Sequence, residues 1–458
     1  MPRLVETALI VGVVIAVLAF GGTEPASFAV VQVLLLGVAA LVVASSRESL
    51  GITASPRSYV IPAVLTGIVL LQLCPLPAHL FQQLTGRENP APGSPLSLSF
   101  EPYSTQTHLL ILLTCFVAFY FAQIVSADRD RKRRLIVSLL TLGTLEAFYG
   151  LVQYLSGWQR IFLYAKKYDL EEATGTYINR NHYAGFLEMV LPFSLALLFY
   201  EYSKLRGTHS LSTADLKRLL THQGVQRLVL WLAVAVVLFT ALFFSRSRMG
   251  IVAACASLLV FFGLAGASRF QGKMGFLLST GFIVLSIGLA VWIGPGPIVS
   301  RFAEVQQEFT AHDQSRLSIW QDAQALVRNH PLIGTGLGTF PIAFTAVQTT
   351  FLGQFVNHAH NDYLELAIDL GLPAAIILFA SILWTLARTF RTFLLGQGHF
   401  DRCIALGCVG SIVAILLHSM TDFNLYIPAN AVLFAVVLGI ATSNQRTNSR
   451  LRSDVLDA

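Results

Sequence analysis

The chain has 458 residues, of which 54% are hydrophobic and only 12% charged, a balance that excludes an ordinary soluble domain. Its net charge of +6 does not point to nucleic acid, because the basic residues fall mainly in short stretches between apolar runs, where membrane topology accounts for them. The five cysteines lie in or beside apolar runs without a paired metal-ligand spacing, so neither a disulfide framework nor a zinc site is implied.

Long apolar runs recur from end to end, each near the ~20 residues a helix needs to cross ~30 Å of hydrocarbon. The expected fold class is therefore an all-α polytopic membrane protein. Twelve spans are predicted, at 7–22, 26–44, 58–74, 107–125, 135–155, 183–202, 228–245, 249–268, 275–294, 363–387, 402–420 and 427–443. The first follows Met1-Pro2-Arg3 and ends at Gly21-Gly22-Thr23-Glu24-Pro25 without an A-x-A cleavage pattern, so it reads as an uncleaved span. Residues 1–294 then hold nine spans, 295–362 a large loop, 363–445 three more spans and 446–458 a tail. Placing both termini in the cytoplasm puts most Lys and Arg on that side, including the run Arg129, Arg131, Lys132, Arg133 and Arg134, as the orientation rule favours.

That orientation turns the loop 295–362 outward, and its length is enough for helices of its own. Ile319, Trp320, Ala323, Leu326 and Val327 recur at helical spacing before Asn329-His330-Pro331, predicting an amphipathic helix near 316–329. Gly334-Thr335-Gly336-Leu337-Gly338 reads as a flexible turn. It is a poor phosphate cradle, since no strand precedes it and no Lys-Ser/Thr follows. Phe340, Phe344, Phe351 and Phe355 make an apolar surface that packs on the bundle or rests on the bilayer interface.

Outward loops should be poor in Arg, so the arginines found there need a reason. Arg180 lies in Asn179-Arg180-Asn181-His182-Tyr183 at the start of the sixth span, Arg246 and Arg248 flank Ser247 in a short turn, and Arg316 heads the loop helix. For any one of them, helix-end snorkelling is an even rival. Several on one face indicate a polyanion site, and the planar bidentate donors of guanidinium suit a diphosphate.

Asn357-His358-Ala359-His360-Asn361-Asp362 closes the loop. A His-x-His pair without a third ligand is more often structural than metallated. His360, nearer the membrane, has the better functional reading: neighbouring arginines disfavour its protonation and leave it able to accept a proton. Glu146, Glu188, Glu365, Asp369 and Asp422 are carboxylates in or near spans, either functional or paired with arginine. Glu188, two turns beyond Arg180, is expected to orient it, and Asp422 to support the site. With no outward Asp-x-Asp, a metal-bound nucleotide-sugar site is not supported, and no cofactor is expected.

These segments in this order resemble the bacterial O-antigen ligase and O-antigen polymerase superfamily. His360-Asn361, nine residues, then Gly371 is similar to the ligase motif H-[N/S/Q]-x9-G-x-x-[G/T/Y], with Ala374 departing at the last position. Ser247-Arg248-Met249-Gly250 resembles the family's S-R-G-G-type turn, and the segments at 179–185, 331–334 and 422–424 are also similar to members. The resemblance implies a membrane glycosyltransferase in the bacterial inner membrane with its site facing the periplasm or exterior. Its implied partners are an undecaprenyl-pyrophosphate-linked glycan, an acceptor glycan or glycolipid, the bilayer and a chain-length regulator. Arg248 and Arg316 would hold the pyrophosphate with help from Arg180, and Arg246 is the alternative to Arg248. His360 would be the general base, with Asn361, Glu188 and Asp422 behind it. Polymerisation is slightly favoured over ligation to lipid A-core, on the Ala374 departure and the look of the 176–188 and 418–430 segments. A peptidoglycan-type polymerase lacks the histidine motif, and a twelve-span secondary transporter is the rival from another class.

Overall fold

A computed structural model describes residues 1–45, 59–85, 96–207, 223–267, 280–281, 284, 316–349, 355–396 and 398–443. In chain order the helices are α1 (Pro2–Leu18), α2 (Pro25–Ala44), α3 (Val60–Leu73), α4 (Ala78–Thr85), α5 (Pro102–Ser126) and α6 (Arg129–Ser156). After the short antiparallel strands β1 (Arg160–Ile161) and β2 (Tyr164–Ala165) come α7 (Arg180–Gly207), α8 (Gln223–Phe244) and α9 (Arg248–Ala267). Residues 316–329 form α10, where the loop helix was expected. Then follow α11 (Phe340–Phe344), α12 (Asp362–Leu370), α13 (Leu372–Leu395), α14 (His399–His418) and α15 (Pro428–Thr442).

Among the described residues, 8 helices (α2, α5 to α9, α13 and α14) are long and apolar enough to cross a membrane, and α3 and α15 are shorter apolar helices. The protein is an all-α polytopic membrane protein. Of the span expected at 275–294, only residues 280–281 and 284 are among the described residues, and the rest lies outside them. Proline in the first turn opens α1, α2, α5, α13 and α15, where its missing N–H costs nothing. The Asp128 carboxylate caps α6 by accepting from Arg131 N at 2.9 Å, and Gly157 ends that helix in the left-handed region at φ 68°.

Buried along its whole span, α7 is the central helix, packed against α8 and α14. Small residues let the backbones close: Gly407 and Gly410 of α14 sit against Pro192 of α7, and Ser257 Oγ of α9 donates to Gly410 O at 2.7 Å. Helix α13 instead turns Ile376 and Trp384 outward, as a lipid-facing helix does.

Two ends of the bundle differ in chemistry. At one, the basic start of α6 is neutralised piece by piece: Lys132 Nζ lies 3.2 Å from Asp401, Arg134 Nε 2.7 Å from Glu6, and Arg133 and Arg227 flank Glu201. The starts of α7 and α9 and the end of α14 lie at the other, because α6 and α7 run antiparallel and α14 runs against α7.

Two expectations are corrected here. The span predicted at 363–387 is broken into α12 and α13 by Gly371, which sits at φ 82°, where a Cβ would collide with the Leu332 carbonyl. The turn 334–338 is not flexible but buried and fixed on α12 and α5. Thr335 N donates to Ile368 O at 2.9 Å, Gly338 N to Asp369 Oδ2 at 2.6 Å, and Ser104 Oγ to Gly338 O at 2.6 Å. Gln72 clamps it from α3, giving Nε2 to Ile333 O and Asp369 O and accepting from Leu337 N. Phe340 and Phe344 are buried against Ile319, Ala323 and Leu326 of α10, whereas Phe355 is exposed; Phe351 lies outside the described residues.

Candidate active site

His360 takes a left-handed backbone, φ 51°, which histidine tolerates better than most side chains. The turn is needed because the extended 355–359 segment must stop and α12 begin. Asn361 is the N-cap of α12, its side chain accepting from Leu364 N at 3.1 Å, so its first role is to start that helix. Around His360 the backbone is held twice: Trp320 Nε1 of α10 donates to Ala359 O at 2.8 Å, and Ala359 N donates to Glu365 Oε2 at 2.7 Å.

Three imidazoles meet one carboxylate. His360 Nδ1 lies 3.8 Å and His182 Nε2 3.7 Å from Asp422 Oδ1, and His418 Nε2 lies 3.9 Å from Asp422 Oδ2. These contacts are just beyond direct hydrogen-bond length and are shielded from solvent. Glu188 holds the far side of His418, with Oε1 3.0 Å from Nδ1. Phe423 fills the space between the rings, stacked on His358 with centroids 3.9 Å apart and edge-on to His182 and His360.

Burial opposes ionisation of Asp422, but the imidazoles of His182 and His360 directed at it, with His418 beside them, hold its carboxyl well below the usual carboxylate range. His358 has the opposite fate: burial pushes its imidazole down to about 4, and its Nδ1 is engaged by Glu365 at 2.7 Å. It is a neutral packing group against Phe423.

The arginines divide into two kinds. Arg180 and Arg246 come together through one buried carboxylate, Glu172, whose Oε1 lies 2.7 Å from Arg180 Nη1 and 3.8 Å from Arg246 Nη1. Asp169 adds a contact to Arg180 at 3.6 Å, and Glu171 one to Arg246 at 3.3 Å. Both guanidiniums thus staple the 157–179 segment to the starts of α7 and α9. Arg248 is different: it is the first residue of α9 and exposed, while Ser247 caps that helix by accepting from Gly250 N at 3.2 Å. Arg316 is half-buried one turn before Trp320 on α10, and Trp320 is bonded to the residue preceding His360.

Four expectations change accordingly. Glu188 binds His418 and not Arg180, because it lies two turns inside the bundle while Arg180 turns outward to Glu172. The charged group found against the His360 ring is the Asp422 carboxylate, where arginines had been expected. Glu365 and Asp369 satisfy backbone amides and their histidine or tyrosine neighbours, Tyr426 OH donating to Asp369 at 2.7 Å. Glu146 accepts from Thr176 N and Oγ1, both at 2.9 Å, and pairs with no arginine among the described residues. His182, His418 and Glu172 were not anticipated as site residues. The available signals were His182 two residues beyond Arg180 and the one-turn spacing of His418 to Asp422. Among the described residues no group of three His, Cys, Asp or Glu is placed to hold a metal ion.

A buried carboxylate gathers three imidazoles, one of them partly open to solvent, at the end of the bundle where exposed and half-exposed arginines also lie. Residues 233–379 match the family model described as O-antigen ligase, a match that supports the O-antigen ligase and polymerase superfamily. The match covers about a third of the chain and takes in Arg246, Arg248, Arg316 and His360, while Arg180, His182 and Asp422 lie outside it. No curated protein matches the chain.

The division of the arginines is testable. Glu172→Gln removes the buried charge between Arg180 and Arg246 and should cost about 2–4 kcal/mol of stability, less than a fully buried pair because Arg180 is partly exposed. Thermal unfolding in detergent measures this; an unchanged midpoint would contradict the staple.

Proposed function

We propose that the protein transfers a glycan from an undecaprenyl-pyrophosphate-linked donor to an acceptor sugar hydroxyl, with inversion and without a metal, at the outward face of the bacterial inner membrane. The observation that carries this reading is the His360 ring with Nδ1 turned to the buried Asp422 carboxylate, at the same end of the bundle as Arg248. A carboxylate facing Nδ1 favours the tautomer with the proton there, which leaves Nε2 as the proton acceptor.

In this mechanism Nε2 of His360 takes the proton of the acceptor hydroxyl as its oxygen bonds to the anomeric carbon. The bond from that carbon to the pyrophosphate oxygen breaks on the opposite face, and undecaprenyl pyrophosphate leaves. Asp422 stabilises the imidazolium that forms. Arg248 and Arg316 are the guanidiniums assigned to the departing diphosphate. Of the two arginines in the turn, Arg248 is preferred because it is exposed at the first residue of α9. Pyrophosphate is already a good leaving group, so clamping and positioning carry most of the rate.

General-base catalysis typically contributes ~10²–10⁴-fold, so His360→Ala should lower turnover on that scale while the amount of folded protein is unchanged. Near-normal transfer in vesicles would rule out the base role. Arg248→Ala and Arg316→Ala should chiefly raise the donor KM, and lysine at either position should restore little, since it lacks the planar fork.

Two acceptors remain within this chemistry. The family description, O-antigen ligase, supports the ligation reading. Ala374, the departure that pointed to polymerisation, is buried in packing against Leu65, Val69 and Leu370, so its identity reports packing and not the acceptor. Glycan profiles after gene deletion separate the two: loss of a ligase strands polymer on its carrier, and loss of a polymerase leaves single capped units.

A further inference from the structure

The hairpin β1–β2 closes with the two residues Phe162 and Leu163. Turns of this length favour Asn-Gly or Gly-containing pairs, because they need positive φ. Here Phe162 adopts φ 52°, and Leu163 stands at the tip with 92% of its surface exposed. A bulky aromatic in the left-handed region followed by a bare leucine is costly in water on two counts, and such an outlier marks a functional constraint.

The tip is held firmly. Phe162 N accepts support from Tyr149 of α6, donating to its hydroxyl at 2.8 Å, and the two rings stack. Gln153 Nε2 donates to Arg160 O at 2.8 Å, and Ile161 is buried beneath. The outward side chains are therefore presented by a fixed hairpin.

What they meet is indicated by the helix below. On α6, a membrane-spanning helix, Leu145, Phe148, Val152 and Leu155 form an exposed apolar stripe at helical spacing. In chain order the stripe is followed, past the exposed Ser156, by the exposed Trp158, then Phe162, Leu163 and Tyr164, with the exposed Arg160 and Lys167 in the same segment. Trp and Tyr with flanking cations above a lipid-facing stripe is the composition of a membrane–water interface.

We infer that the β1–β2 hairpin is a membrane-interface anchor whose tip, Phe162 and Leu163, inserts into the outer margin of the bilayer next to the candidate active site. The same segment carries Asp169, Glu171 and Glu172, which hold Arg180 and Arg246. The anchor therefore fixes the height of the α7 and α9 starts relative to the lipid surface. This holds whatever the site transfers, so it stands or falls independently of the glycan reading.

The test places a photoreactive benzophenone amino acid at Leu163 in the full chain and irradiates it in native membranes. A second protein carries the same group at Glu171, which is 77% exposed in its side chain and lies on the polar side of the segment. Mass spectrometry should show one phospholipid added at position 163 and none at 171. A polypeptide adduct at 163, whether from a partner or a second copy of this chain, overturns the proposal, as does the absence of a lipid adduct there.

Discussion

The Asp422 carboxylate organises this end of the molecule. A charge buried in a bundle with few charges is tolerable only if groups around it supply compensation, and here the compensation comes from three separate parts of the chain. His182 arrives on the first turn of α7, His418 on the last turn of α14, and His360 on the segment that leads into α12. The same turn is fastened through the backbone: Asp362 N donates to Ser419 O at 2.9 Å and Asp422 O at 3.2 Å, while the Asp362 carboxylate accepts from Leu425 N. Fixing one carboxylate thus fixes the relative positions of α7, α12 and α14.

This arrangement changes how the arginines are understood. Cations at the outward end of a membrane bundle look alike in a sequence, and each invites the same anion. In the fold they separate by position. Arg180 and Arg246 face three carboxylates from a single short segment, a locally negative balance that a diphosphate would have to displace. Arg248 heads its helix in the open, and Arg316 is tied to His360 through the helix that carries Trp320. The resulting division is physical: Arg180 and Arg246 hold one segment to two helix starts, while Arg248 and Arg316 sit at the heads of their helices.

Long-wavelength features were legible in the sequence, because an apolar run of membrane-crossing length leaves few choices of structure. The helix at 316–329 was legible for the same reason, its periodicity and its Asn329-His330-Pro331 stop being local. What could not be read was partnership across distance. Glu188 was assigned to Arg180 because eight residues on a helix bring two turns into line, yet its partner is His418, 230 positions away in the chain. The carboxylates Glu365 and Asp369 looked like ion-pair candidates, but their partners include backbone amides, which carry no sequence signature. Gly371 was visible as a motif residue, but an apolar run on both sides hid the fact that its backbone ends one helix and begins another.

The spacing of the histidine motif now has a mechanical meaning. The nine residues between Asn361 and Gly371 are the whole of α12, with an asparagine cap at one end and a positive-φ glycine at the other. Asp362, Glu365 and Asp369 lie on one face of that helix at i, i+3 and i+7, and each fastens a different segment: the turn after Asp422, the His358–Ala359 backbone, and the 334–338 turn with Tyr426. The helix is a spacer of fixed length. At its start it presents His360 to Asp422, and at its end Gly371 lets Leu372 N reach Pro331 O at 2.8 Å, so the end of α10 and the turn after it are locked to the same piece. Adding or removing one residue of α12 would rotate its three carboxylates by ~100° and detach all three segments together. The imidazole proposed as base is thus positioned by a helix of fixed length and a buried carboxylate, so the geometry of the proposed site is set by the fold before any substrate arrives.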